Sequence, residues 1–433
     1  MVCVYRLGSR RERFRDVVSL LLLHWVAVGY SEARTDRMSR GKKISRRQER
    51  FVRHPLTWMT YTLVGYFAYL ETVLGPLMPF LRAERGFSYT VASLHFSAFA
   101  FGAVPVGFLG DRVAGRWGRR TSLWGGGAGM AAGALLLAAS PITPGTVLGA
   151  LLMGTFGGLL LITTQAVLAD KYGEWSAVAI TESNVAASAC AMLASLAVGA
   201  FAASGLGWRV ALILPVAALI LLALRFRNEP LGRARTHGLV SSGKASSALP
   251  MSFWVYFGIL FLGVSVEWCV AYWGADFLEN GVGLERSAAA TALSVFFVAM
   301  LAGRLLGSRL ARGLPGATLL LVTLCVALAG FPVFWLSGMP APSLLGLFVV
   351  GLGVGSIYPL AISVGVAAAP GRTDTATARL GLAGGGAILT APFVLGAFAD
   401  RVGIERAYGI VVPLLLAAVV LTLVAWRMGE RDM

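Results

Sequence analysis

Charged residues are scarce in this chain. Only 13% of its 433 residues are Asp, Glu, Lys or Arg, about half the share of an average soluble domain. In contrast, 57% are hydrophobic, which is more than a water-soluble core can absorb. A bilayer can hold this excess, because a spanning helix needs about 20 mostly apolar residues, and such stretches follow one another from Leu56 onward. The sequence therefore predicts an all-α membrane protein with twelve transmembrane helices. The predicted spans are 56–80, 89–110, 121–140, 146–168, 177–203, 209–226, 251–275, 287–308, 316–337, 343–368, 379–399 and 406–427.

Cysteine is also scarce, and no catalytic motif is present. Cys3, Cys190, Cys269 and Cys325 show no paired spacing, and three of them lie inside apolar segments. This pattern indicates neither a disulfide framework nor a zinc site. The chain has no Gly-x-x-x-x-Gly-Lys-Ser/Thr phosphate loop and no nucleophile–base pair of usable spacing. We therefore expect no catalytic residue, no metal and no cofactor, which argues against an ATP-driven pump and against an enzyme.

The positive charges are sorted by membrane side. The net charge of +16 would suggest a nucleic-acid partner in a soluble protein. If the chain before the first helix is cytoplasmic, 31 of the 37 lysines and arginines lie on the cytoplasmic side, as the positive-inside rule requires. We therefore expect a multi-pass protein of the plasma (inner) membrane with both termini in the cytoplasm and no nucleic-acid partner.

The chain divides into two helical units joined by a polar linker. The linker is rich in Arg, Ser and Gly, a flexible composition. The basic N-terminal extension contains a 14-residue apolar run that is too short to span a bilayer comfortably, and Met38 is an alternative start. The predicted parts are an extension 1–55, a six-helix bundle 56–226, the linker 227–250, a second six-helix bundle 251–427 and a tail 428–433.

The two bundles repeat one another at a nearly constant offset. Glu71 superposes on Glu267 at an offset of 196 residues, Gly154 on Gly351 at 197, and Pro215 on Pro413 at 198. Because each unit has an even number of helices, the two units run in parallel and are related by an axis along the membrane normal. The sequence thus predicts two pseudo-symmetric bundles with a cavity between them.

The segment from Gly107 to Arg120 resembles a family signature. It begins Gly107-Phe108-Leu109-Gly110-Asp111-Arg112 and ends Gly118-Arg119-Arg120, and it is similar to the loop between the second and third helices of the major facilitator superfamily. In that family the loop latches the two halves in the outward-open state. The resemblance implies this role for six residues: Gly107, Asp111, Arg112, Gly118, Arg119 and Arg120. The equivalent segment of the second unit, 303–309, has Gly307 in place of Asp111.

Other motifs bear on the type of transporter. The fifth helix lacks the Gly-Pro motif of proton-coupled drug exporters, and the fourth lacks the arginine found in many proton-coupled members. Glu267-Trp268, Phe296-Phe297 and Gly303-Arg304 are faintly similar to the fucose-permease-like branch of sugar carriers.

Two glutamates inside predicted helices are the leading site candidates. An ionisable group in a membrane helix is costly unless it faces a cavity or a partner. Glu71 lies near the middle of the first helix and Glu267 at the same depth in the seventh. The resemblance implies that these two helices line the central cavity, so the pair could bind a cationic or hydroxyl-rich substrate or carry protons. The alternative is that either glutamate only stabilises packing.

Further candidates are polar or aromatic residues in the same helices or their neighbours. His95 could relay protons, although a lone histidine is also often a packing residue. Glu182 and Arg379 could form a cytoplasmic gate, and either could equally be a plain interfacial charge. The remaining candidates for substrate contact are Gln165, Asn184, Trp268 and Tyr358.

Together these features predict a secondary active transporter that works by alternating access. We expect a monomer that moves a small polar organic solute, sugar-like or a metabolite, and is driven by protons as a symporter. One alternative is efflux of amphipathic drugs or metabolites by proton antiport. Another is a non-transporting membrane sensor with the same fold.

Overall fold

The computed structural model describes residues 51–231 and 249–431. The predictions for residues 1–50, including the apolar run and Met38, lie outside the described residues, as do the central part of the linker and the last two residues. In the described part, helices follow one another with short connections and there is no β-strand.

The helices of the first bundle begin and end close to their predicted positions. They are α1 (Pro55–Thr72), α2 (Leu74–Arg85), α3 (Tyr89–Trp117), α4 (Arg119–Ala139), α5 (Thr143–Tyr172), α6 (Ser176–Ala203) and α7 (Val210–Phe226). The helices of the second bundle are α8 (Met251–Asn280), α9 (Arg286–Ala292), α10 (Ser294–Leu310), α11 (Gly316–Leu336), α12 (Pro340–Ala367), α13 (Thr373–Val402), α14 (Ile404–Ala407) and α15 (Val411–Arg431).

The described helices make up twelve spans, six in each bundle. Ten stretches are long and apolar enough to cross a bilayer. One of them, Thr143–Ala203, contains both α5 and α6, joined by a short 3-10 turn. The shorter apolar helix Val210–Phe226 completes the twelve. Three spans consist of two helices each, namely α1 with α2, α9 with α10, and α14 with α15. The expected all-α fold of two six-helix bundles is confirmed.

The internal repeat appears in the packing of the two bundles. A Cβ added at Gly154 on α5 would overlap the carbonyl oxygen of Phe99 on α3. At the repeat position Gly351 on α12, an added Cβ would lie 2.6 Å from the carbonyl oxygen of Phe296 on α10. Both pairs are related by the offset of 197 residues. Small residues let helices approach closely in a membrane, where no hydrophobic force between them drives association, so both bundles use glycine for the same contact.

The signature segment is more helical than predicted. We expected the second helix to end near residue 110, but α3 continues to Trp117 and α4 begins at Arg119. The segment contains no proline to stop the helix. Only Gly118, with φ of 83°, interrupts it, in a region of backbone conformation that glycine adopts readily.

We call the face that holds Phe226 and Met251, the helix ends that border the linker, the linker face. The opposite face, which holds Arg85 and Asn280, is called the far face.

Candidate functional site

Glu71 lies next to a break near the middle of the first span. The break is one missing helical hydrogen bond, because Pro76 has no N–H to donate to the carbonyl of Thr72. The first helix ends at Thr72, although Val73 keeps helical dihedral angles. Glu71 is half-buried, and none of the described residues forms a hydrogen bond or an ion pair with its carboxylate. Such a group is costly inside a membrane span unless it borders a polar cavity.

Glu267 lies at the same depth as Glu71 but has a basic neighbour. Glu71 and Glu267 each lie sixteen residues after the first residue of their span, which is about 24 Å along a helix. The Arg304 Nη2 atom on α10 is 3.8 Å from Glu267 Oε1. The side chain of Glu267 is 14% exposed and that of Arg304 is 35% exposed, so the glutamate is mostly buried while its cation borders open space.

Arg304 also links the two bundles. Its Nε donates to the carbonyl oxygen of Gly355 on α12 at 3.2 Å, and its Nη1 donates to Ser188 Oγ on α6 at 2.7 Å. The predicted set of 31 cytoplasmic lysines and arginines includes Arg304, but this residue lies inside the eighth span. The rule that singled out the glutamates, an ionisable residue within an apolar helix, could have identified Arg304 as well.

The two glutamates face the same space. Their carboxylates are close enough for their charges to interact, and Tyr358 on α12 is within electrostatic range of Glu267. Tyr358 is 42% exposed, although it lies well inside its span. The predicted group of Glu71, Glu267 and Tyr358 therefore comes together between the bundles, with Arg304 added to it.

An aromatic layer covers this space on the side of the far face. The Tyr272 ring stacks on Phe96 of the other bundle, with centroids 4.1 Å apart and an angle of 4° between planes. Trp268 packs against Tyr272 at 4.7 Å, and Trp273 meets Phe96 edge-on at 5.2 Å. The Tyr272 hydroxyl is buried with no hydrogen-bond partner among the described residues and is within electrostatic range of Glu71.

An ion pair joins the bundles beyond the aromatic layer. Arg82 Nη1 on α2 lies 2.7 Å from Asp276 Oδ2 on α8, and the Asp276 side chain is completely buried. The Arg82 guanidinium also lies 3.5 Å from the centroid of the Tyr89 ring. We call the Arg82–Asp276 pair the far-face lock.

Two backbone contacts reinforce the closure of the far face. Asp400 at the end of α13 accepts hydrogen bonds from the backbone N–H groups of Tyr89 and Thr90 at 2.7 and 2.8 Å, which caps the N-terminus of α3. On the neighbouring helices, a Cβ added at Gly75 would overlap the carbonyl oxygen of Ala271.

The bundles separate toward the linker face. The cross-bundle contacts described above lie at mid-depth or nearer the far face. On α13, which touches α3 near the far face, a Cβ added at Gly381 or Gly385 would meet no atom within 4 Å. Gly107 on α3 is equally free of neighbours. In this conformation, contacts between the bundles close the far face, whereas these glycines on the linker-face halves of α3 and α13 have no described atom of the other bundle against them.

The arrangement of two six-helix bundles around a central polar site agrees with the sequence comparison. The model of the Major Facilitator Superfamily matches residues 57–385. The chain belongs to this superfamily. It is 26% identical over 363 residues to an uncharacterized MFS-type transporter of Yersinia pestis, a match that covers 79% of this chain and 88% of that protein.

Solved structures share the superfamily fold with this chain. A D-xylose-proton symporter matches with a TM-score of 0.70 at 16% identity, covering 86% of this chain and 96% of the symporter. A bacterial homolog of the human lysosomal transporter Spinster, in an inward-facing and occupied conformation, matches with a TM-score of 0.69 at 15% identity and covers 86% and 96%. A nucleoside transporter matches with a TM-score of 0.69 at 14% identity and covers 86% and 99%.

Membership of this superfamily establishes the general activity. Its members are membrane transporters of small molecules and not enzymes, so the chain is a multi-pass small-molecule transporter. The similarity to the fucose-permease-like branch stays a prediction.

The MFS signature residues lie at the linker face. Arg119 forms an ion pair with Asp170 at the end of α5, and Arg120 Nη2 donates to the carbonyl oxygen of Glu229 at 2.7 Å. Arg112 is exposed. The Asp111 side chain lies outside the described part of the structure. These contacts are within the first bundle and its adjoining linker, so the latch role stays a prediction.

Three other predicted residues occupy different surroundings. His95 is fully buried, with its Nε2 atom 2.8 Å from Thr146 Oγ1 and its ring stacked on Phe87. These contacts favour the packing interpretation of His95. Gln165 is half-buried on α5, and Asn184 is exposed on α6. Their predicted roles in substrate contact stay predictions.

The predicted Glu182–Arg379 gate is not formed in this conformation. Glu182 accepts two hydrogen bonds from Arg53, at 2.8 and 2.5 Å, and a third from the Tyr61 hydroxyl at 2.9 Å. Hydrogen bonding to Glu182 raises the pKa of the Arg53 guanidinium. Arg379 instead lies 5.4 Å from the Trp254 ring centroid. Any pairing of Glu182 with Arg379 would thus require Glu182 to exchange partners.

Proposed function

We propose that the chain is a proton-coupled secondary transporter of a small polar organic solute, sugar-like or a metabolite, and that Glu71 carries the coupled proton. The observation that carries this proposal is the different environment of the two central glutamates. Glu267 has a basic neighbour in Arg304, whereas Glu71 has no hydrogen-bond or ion-pair partner among the described residues. When a carboxylate without a neighbouring cation gains a proton, no ion pair is broken. Such a group can therefore gain and lose a proton with little change in its surroundings.

The same arrangement supports a polar solute. Arg304 can donate hydrogen bonds and Glu267 can accept them, while the flat faces of Trp268 and Tyr358 can stack on a sugar or an organic ring. A D-xylose-proton symporter and a nucleoside transporter share the fold, which makes sugars and nucleosides the first solutes to test. We also propose that the protein is a monomer in the plasma (inner) membrane, with the linker face toward the cytoplasm, because most of the described lysines and arginines lie nearer that face.

The test is solute-triggered proton movement in proteoliposomes that contain a pH-sensitive dye. Sugars, polyols, nucleosides, amino acids and cationic drugs are added to the wild-type protein and to the Glu71→Gln variant. We expect one solute class to make the external medium more alkaline with the wild type. In Glu71→Gln this signal should disappear, whereas exchange of labelled for unlabelled solute should persist, because exchange needs no net proton transfer.

The matched control is Glu84→Gln, which makes the same chemical change outside the central site. Glu84 pairs with Arg209 at 2.5 Å within the first bundle. Wild-type proton movement in Glu71→Gln would refute Glu71 as the proton carrier. Solute uptake without proton movement in the wild type would indicate a facilitator, and silence across the panel would favour a non-transporting sensor.

A further inference from the structure

A groove on the outer surface of the second bundle has an apolar wall and a basic end. It lies between α13 and the last span, has a volume of about 650 Å³ and is lined mainly by apolar side chains. Val394 and Phe398 on its wall are 50% and 40% exposed. Trp335 packs against Gly409, and its Nε1 donates to the carbonyl oxygen of Glu405 at 2.6 Å. Two arginines, Arg401 and Arg406, complete the lining.

These two arginines differ from the others on the far face. Four arginines of this face have acidic partners: Arg82 with Asp276, Arg85 and Arg209 with Glu84, and Arg286 with Glu279. Arg401 and Arg406 are both exposed, and no described acidic residue forms an ion pair with either. The two unpaired guanidinium groups of the far face thus line one groove, at its end nearest the helix termini.

We propose that this groove binds an anionic phospholipid of the leaflet that borders the far face. Guanidinium groups bind phosphate oxygens through paired N–H donors. Val394, Ala397 and Phe398 follow the groove from Arg401 into the membrane span, so an acyl chain can occupy the apolar wall while the phosphate stays with the arginines. The indole of Trp335 lies at the same level, as is usual for tryptophan at a membrane interface.

Lipid retention by the full-length protein tests this proposal. The purified protein is delipidated, incubated with dioleoyl phosphatidylglycerol and analysed by native mass spectrometry. We expect retained lipid to fall at least tenfold in the double variant Arg401→Gln/Arg406→Gln. Ala397→Phe keeps both arginines but fills the groove next to its apolar wall, and it should give a similar loss. Arg209→Gln removes a paired arginine from the same face and should retain lipid as the wild type does.

Two soluble or uncharged competitors identify the source of the phosphate. Neither glycerol phosphate nor dioleoylglycerol at equal concentration should displace phosphatidylglycerol. Glycerol phosphate lacks the acyl chains, and dioleoylglycerol lacks the phosphate. Displacement by glycerol phosphate would overturn the proposal in favour of a free-anion site. Wild-type retention in the double arginine variant, or an equal loss in Arg209→Gln, would overturn it as well. Size-exclusion profiles and melting temperatures like those of the wild type establish that the variants are folded.

Discussion

The far-face lock should control which side of the transporter is open. Asp276→Asn keeps one oxygen that can accept from Arg82 Nη1, but it replaces the oxygen that accepts from Asn280 Nδ2 with an amide nitrogen and removes the negative charge that faces the Arg82 guanidinium. While the far face is closed, the positive charge of Arg82 is poorly hydrated, because only 17% of its side chain is exposed. With the far face open, both groups would be in contact with water. The substitution should therefore destabilise the closed far face and leave the open one nearly unchanged.

The size of this effect follows from the geometry of the pair. Removing one partner of a buried ion pair typically costs about 3–5 kcal/mol. Because asparagine keeps one hydrogen bond to a charged donor, we expect the lower cost of about 2 kcal/mol. Since about 1.4 kcal/mol corresponds to a tenfold change in an equilibrium constant, the fraction of molecules with an open far face should rise about 30-fold.

Cysteine alkylation at a position buried by closure measures this fraction. Ser93 is fully buried and lies next to Gly396 of the other bundle, so Ser93→Cys, in a protein whose native cysteines are replaced, becomes reactive only when the far face opens. Asp276→Asn should raise its labelling rate by a maleimide about 30-fold in lipid nanodiscs, in proportion to the open fraction. Glu84→Gln breaks an ion pair on the same face within one bundle and should leave the rate unchanged. An unchanged rate in Asp276→Asn, or an equal rise in Glu84→Gln, would refute this reasoning.

The other predictions concern close packing and charge balance. Gly75→Ala places a Cβ against the carbonyl oxygen of Ala271 and should also raise the labelling of Ser93→Cys, whereas Gly385→Ala, with open space around it, should not. Equal rates in these two variants would contradict the packing argument. Arg304→Gln leaves Glu267 without its cation and should lower stability by about 1–3 kcal/mol, and adding Glu267→Gln should restore part of this loss. Thermal melting followed by tryptophan fluorescence measures both, and a double variant no more stable than the single one would count against the pairing.

The fold could be predicted because its signals are local and repeated. Length and hydrophobicity define each span on its own, and the offset of 197 residues that relates Gly154 to Gly351 appears again in their contacts with Phe99 and Phe296. The end of α3 could not be placed in this way. Hydrophobicity decreases where the chain leaves the bilayer, whereas a helix ends only where its backbone conformation changes, and here that residue is Gly118.

The candidate site could be predicted only in part. Glu71 and Glu267 were identified because an ionisable residue within an apolar membrane helix is costly unless it has a partner or faces a cavity. The far-face lock was missed because Asp276 lies just past the predicted end of its span, where acidic residues are common and call for no explanation. Its partner Arg82 is 194 residues away in the chain, and periodicity along one helix indicates which face is buried but not which side chain of another helix it meets.

The two bundles connect the central site to the far-face lock in different ways. In the second bundle, Glu267 and Asp276 lie on the single uninterrupted helix α8, nine residues or about 13 Å apart. In the first bundle, the break at Val73 separates Glu71 on α1 from Arg82 on α2. If Glu267 binds the solute, as we propose, its displacement would pass along one continuous helix to Asp276, whereas the first span lacks the helical hydrogen bond from Pro76 to Thr72 and can bend more easily there. This asymmetry favours the second bundle as the half that would transmit solute binding to the far face.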